Sequence, residues 1–108
     1  MAKRNYNLRY LSLFEDDLSE IVEYITFKLK NPQAASDLVN EVEKSIIDRL
    51  ECLESFESYQ SYQDRKYPYY RIYVKNFEIY YVVIDNDEMK IMEVRRILYN
   101  KRDKRKLV

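Results

Sequence analysis

The chain has 108 residues, 46% hydrophobic and 35% charged, with nineteen basic and nineteen acidic side chains, no His, no Gly and one Cys. That length suits a single domain over 1–108, and no apolar run approaches the roughly 20 residues of a membrane span. The missing residue types argue against His-based acid–base chemistry, Cys/His zinc sites, internal disulfides and Gly-rich phosphate loops, so a cytoplasmic protein without metal or small-molecule cofactor is expected.

Asn5 to Leu11 alternates, with Tyr6, Leu8 and Tyr10 on one side and Asn7 and Arg9 on the other, which predicts a short strand. Ser12 followed by Glu15 reads as a capping box, and Leu18, Ile21, Val22, Ile25 and Leu29 then recur at helical spacing down to about Lys30. Asn31-Pro32 ends that helix and caps the next, whose stripe is Ala35, Leu38, Val42, Ile46 and Leu53. Two helices joined by so short a break fold back as an antiparallel hairpin. Residues 55–68 are polar and tyrosine-rich and read as a loop. Three strands follow, around Tyr70–Val74, Phe77–Val83 and Met92–Arg95. Asn76 is expected to take the positive φ of the first tight turn, and Asp85-Asn86-Asp87 makes the second. Cys52 reads as a small core or boundary residue. The predicted fold is α+β, a two-layer β-α-α-β-β-β arrangement with the helical hairpin packed on an antiparallel sheet.

Zero net charge hides a separation. Residues 12–66 hold thirteen acids against six bases, residues 67–108 hold ten bases against six acids, and 95–108 alone carries seven bases against Asp103. Strand alternation puts Arg71, Tyr73, Lys75, Glu78, Tyr80, Glu93 and Arg95 on the sheet face away from the helices, joined by Arg9 if the first strand is in register. An uncovered face of cations and phenol rings suits a phosphate backbone with exposed bases, or an acidic peptide. Tyr is also a good strand former, and Arg71 can simply pair with Glu78 or Glu93. If the domain cuts RNA, the 2′-hydroxyl must be activated by Lys or Tyr while Arg clamps the phosphate. Lys75, Arg95 or Arg96, Tyr99, Lys101 and Arg102 are the side chains of the right type.

Three segments resemble a known family. Asn31-Pro32-Gln33-Ala34-Ala35 is similar to the NPxAA signature of RelE/ParE toxins, the plasmid-stabilisation proteins. The stretch from Tyr70 through Tyr81 resembles that family's YR-x-x-V-x-N-Y/F-x-I-x-Y strand pair, and Arg96 to Asp103 its closing R-V-L-H/Y-G-x-R-D segment. Asn100 replaces the more usual Gly there and is expected in a left-handed turn.

The resemblance implies the growth-inhibiting toxin of a type II toxin–antitoxin pair, neutralised by a cognate antitoxin that folds as it wraps its partner. It also implies a choice of target. RelE-type members cut messenger RNA on the ribosome with Lys, Arg and Tyr; ParE-type members poison DNA gyrase. For a cutter, Lys75, Arg96 and Tyr99 are the implied catalytic residues, and Arg71, Tyr73, Tyr80, Arg95, Lys101 and Arg102 would bind the target or nucleic acid. The long hairpin, NPxAA and RILYNKRD are more like the ParE branch, so gyrase poisoning is expected, with mRNA cleavage as the alternative and a non-toxic binding module as a third reading.

Overall fold

A computed structural model describes residues 5–52, 67–85 and 89–101. The predicted loop up to residue 66, the turn at 86–88, Leu53 and Arg102 lie outside the described residues. Strand β1 (Asn5–Tyr10) leads into helix α1 (Ser12–Glu23). The expected capping box is not formed. Leu11 is the N-cap, extended and without a side-chain bond, and its carbonyl accepts from Phe14 and Glu15 N–H at 3.0 and 3.2 Å. The cause lies in the preceding strand: Leu11 N–H still bonds Val94 O (3.0 Å), so the chain passes from strand to helix a residue early and Ser12 is already helical.

Helix α1 continues as a π turn over Tyr24–Lys28, where Leu29 N–H bonds Tyr24 O at 3.0 Å. The wider turn rotates the next residues about the helix axis, so Leu29 leaves the buried stripe and is 55% exposed. Lys30 takes φ 53° to end the helix. Asn31 then caps helix α2 (Pro32–Arg49) as expected, accepting from Ala34 N–H at 3.1 Å with Pro32 in the first turn. Ala35, Leu38, Val42 and Ile46 form its buried stripe.

Strands β2 (Tyr70–Val74), β3 (Phe77–Asp85) and β4 (Met89–Tyr99) complete a sheet of order β1-β4-β3-β2. Both β2–β3 and β3–β4 are antiparallel, but β1 runs parallel to β4, so the sheet is mixed rather than antiparallel throughout. The helical hairpin carries the chain from one sheet edge to the other, and two antiparallel reversals return β4 beside β1 in the same direction. Val74 pairs with Phe77, leaving Lys75 and Asn76 as the turn. Its positive φ, 53°, falls on Lys75 and not on Asn76. Asn100 is not left-handed either, since Lys30 and Lys75 are the positive-φ residues among those described.

The helices cover one face of the sheet. Tyr70, Ile72, Val74, Ile79, Tyr81, Val83, Met92 and Val94 point to Leu38, Val42, Ile46 and Phe14, in the parity the sequence predicts. Between Tyr80 and Tyr81 the β3–β4 register shifts: Tyr81 faces Val94 and Tyr80 faces Arg96, so Arg95 has no partner across the pair. This bulge resets the alternation, and Ile97 joins the inner core. Among the described residues no helix is long and apolar enough to cross a membrane.

Candidate functional site

The sheet face away from the helices differs from the uncovered cationic face expected from sequence. Tyr80 is fully buried there in a second apolar cluster with Tyr69, Val82 and Leu98, and Tyr69 meets it edge-on at 6.0 Å between ring centroids. Tyr80 therefore has no surface with which to touch a target. Its hydroxyl donates to Glu78 at 2.8 Å. The signal was in the sequence: Ile79 to Ile84 is a continuous apolar run, the mark of a strand buried on both faces.

The cations on this face are mostly paired. Glu93, 5% exposed, accepts from Arg9 and from Arg95, the latter at 2.8 Å. Burial alone would push the Glu93 carboxyl up, but the Arg9 and Arg95 hydrogen bonds outweigh it and hold it below its ordinary range. Arg71 stands 3.7 Å from Glu78 and 5.3 Å above the Tyr73 ring. Arg95 lies over Tyr69 at 5.7 Å, and its proton is held more tightly because hydrogen bonds to Tyr69 and Glu93 outweigh desolvation. Arg71 and Arg95 thus act first as framework, holding two buried carboxylates.

Arg96 pairs with Tyr80 across the sheet, but its guanidinium reaches to α1. Strand β1 ends opposite Val94, and past that point Asp17 of α1 occupies the edge of β4. The Asp17 carboxylate accepts twice from the Arg96 guanidinium, at 2.7 and 2.8 Å, and once from Ile97 N–H at 3.2 Å. The Asp17 hydrogen bond is the chief reason the Arg96 proton is held above its ordinary affinity. Only 15% of the Arg96 side chain is exposed. Sequence reasoning missed Asp17, which looks like one more acid on a solvated helix; its partner lies 79 residues away.

What stays open is one end of the sheet. Asn100 N–H bonds Asn76 O at 2.9 Å and ties the end of β4 to the β2–β3 turn. Around this joint Tyr73 (63% exposed), Tyr99 (44%), Lys75 and Lys101 reach solvent. The Tyr99 ring leans on Phe77 at 5.9 Å between centroids while the residue as a whole stays exposed. Two ammonium groups and two phenols at one end offer anion binding and ring contact. Among the described residues no cluster of His, Cys, Asp and Glu is arranged to hold a metal.

No curated protein matches the chain. A family model, described as the ParE toxin of the type II toxin–antitoxin system parDE, matches residues 8–104. That span takes in the helical hairpin, the whole of β2 to β4 and the lysine–tyrosine end. The chain belongs to the ParE toxin family, so it is the toxin member of a type II pair and has a cognate antitoxin as its partner.

Proposed function

We propose that this single-domain toxin works in the cytoplasm by poisoning DNA gyrase rather than by cutting messenger RNA. The observation that carries this reading is the Asp17–Arg96 fork: the arginine a cutter would aim at a phosphate is committed to a carboxylate on α1. Burial of Tyr80 and pairing of Arg71 and Arg95 with carboxylates also leave less of the sheet face to hold an RNA strand. Lys75, Tyr73, Tyr99 and Lys101 are the residues we assign to target contact, through charge and ring surface rather than proton transfer. The second reading, ribosome-dependent cleavage, draws support from the exposure of Lys75 and Tyr99 at the same end.

Induction of the chain alone, with messenger 5′ ends and gyrase-linked DNA breaks measured in one culture, separates the mechanisms. Growth arrest with intact messages and accumulating cleaved DNA is the expected result. New 5′ ends at ribosome-occupied codons would overturn the gyrase reading, and healthy growth with abundant folded protein would make the chain a non-toxic binding module.

A further inference from the structure

Where β1 runs into α1 and α2 nears its end, the chain leaves an apolar groove of about 330 Å3. Phe14, Val42 and Ile46 line it, together with Tyr10 and the 53% exposed Ile47. The Tyr10 ring stacks on Phe14 at 5.3 Å between centroids. Two exposed carboxylates complete the lining, Glu15 and Glu43. Burial, and then the Glu43 charge, push the Tyr10 phenol above its ordinary value, so that charge is felt inside the groove. Among the described residues neither carboxylate forms an ion pair. An occupant that suits both floor and rim carries apolar side chains with cations next to them.

The chain itself displays such a segment. Around the π turn at the hairpin tip, Phe27 is 74% exposed and Leu29 55%, and the exposed Lys28 and Lys30 stand on either side of Leu29. Among the described residues neither lysine forms an ion pair. Apolar side chains of this size, adjacent and unburied, are an interaction surface. Tip and groove cannot meet within one molecule, because α2 separates them: from Pro32 to Ile46 the helix rises about 21 Å. A nucleic acid or an acidic helix would be repelled by Glu15 and Glu43, and an uncharged ligand would leave both without a counter-charge. We propose that the groove receives the hairpin tip of a second copy of this chain. Phe27 and Leu29 enter over Phe14, Val42 and Ile46, while Lys28 and Lys30 pair with Glu15 and Glu43. Two different surfaces meet, so the contact is heterologous and joins copies head to tail, each pair keeping one tip and one groove open. It uses none of Tyr73, Lys75, Tyr99 and Lys101 and is independent of the target reading. A contact this small is weak, so association grows with concentration.

Sedimentation of the full chain, purified without its antitoxin, tests this. Wild type should pass from monomer to dimer and then to larger species as concentration rises through the micromolar range. Phe27→Ser with Leu29→Ser spoils the tip, and Glu15→Lys with Glu43→Lys spoils the groove. Each double variant should raise the dissociation constant at least about tenfold. Mixed together, the two should form a discrete one-to-one pair and nothing larger, because each supplies the half that the other lacks. Lys28→Glu with Lys30→Glu, at exposed positions, repeats the tip test without removing an apolar side chain. Circular dichroism establishes that each variant is folded. A wild type that stays monomeric would overturn the proposal, as would association that neither double variant weakens. Loss in the groove variant alone would mean that another basic segment fills the groove, and loss in the tip variant alone that the tip sits elsewhere; both overturn it. Failure of the mixed variants to pair would overturn it as well.

Discussion

The two faces of the sheet are built from different materials. The inner face closes with apolar side chains at alternate positions, met by the stripes of α1 and α2. The outer face closes with carboxylates: Glu78 and Glu93, each 5% exposed, pair with arginines that lie over tyrosine rings. A buried acid turns a row of arginines from a binding surface into framework, since each guanidinium spends its donors inside the protein. Positive charge stays available where no acid is interleaved, at the Lys75 and Lys101 end. Counting cations along a strand overstates a binding face unless the acids between them are counted too.

The contrast is tested most severely at the seam between layers, where Asp17 joins α1 to β4. Asp17→Ala leaves the largely buried Arg96 without its carboxylate and Ile97 N–H without this acceptor, and should cost about 3 kcal/mol. In a domain of this size that lowers Tm by well over about 10 °C. Thermal unfolding checks it; a shift of only a degree or two would mean the fork is a surface pair of little consequence. If Asp17→Ala instead stays folded and begins to cut messages, the freed Arg96 would be the reason, and the gyrase proposal would lose its main support.

On the outer face the sharper probe is pH. Glu93 is held ionised in the folded state, its carboxyl below the ordinary value of 4.5. Its contribution is therefore complete above that ordinary value and is lost as pH falls through the lower folded value. Glu93→Gln should cost about 1–2 kcal/mol at neutral pH, discounted for the half-exposed Arg9 partner. The variant should also lose less stability than wild type as pH falls below the ordinary carboxyl value of 4.5, the direction set by that carboxylate shift. Parallel acid-unfolding curves for the two proteins would show that the outer arginines do not hold the strand.

The inner face was legible because its logic is local. Period-two alternation in β2, β3 and the first part of β4 assigns the core side chains, and Asn31-Pro32 marks the hairpin tip by itself. The outer face was not, because its contacts cross strands. Glu93 meets Arg9 only once β1 lies parallel to β4 with Arg9 opposite Glu93. The bulge at Arg95 depends on the β3 register, and it separates Arg95, bound to Glu93, from Arg96, bound to Asp17. Leu29 followed the helical period until the π turn shifted it outward, and nothing in the residues 24–28 announces that extra width. Of the candidate site residues, Tyr73, Lys75, Tyr99 and Lys101 are exposed at one end, Tyr80 is buried, and Arg71, Arg95 and Arg96 hold carboxylates.

Lys75 sits where the two faces meet and has the smallest expected effect on stability. Its φ of 53° is a conformation that disfavours any residue with a Cβ, by about 1–2 kcal/mol. Lys75→Ala keeps that cost and removes only an exposed charge, so stability should hold within about 0.5 kcal/mol. Lys75→Gly relieves the strain but frees the unfolded chain, and should stabilise by about 0.5–1 kcal/mol net. Both variants should lose toxicity if the ammonium contacts the target. A stabilised glycine variant that is still fully toxic would mean the strained lysine is an accident of the turn. One that is more stable yet inactive would mean that the turn keeps an unfavourable residue for the charge it presents, the usual reason for strain to persist at a working surface.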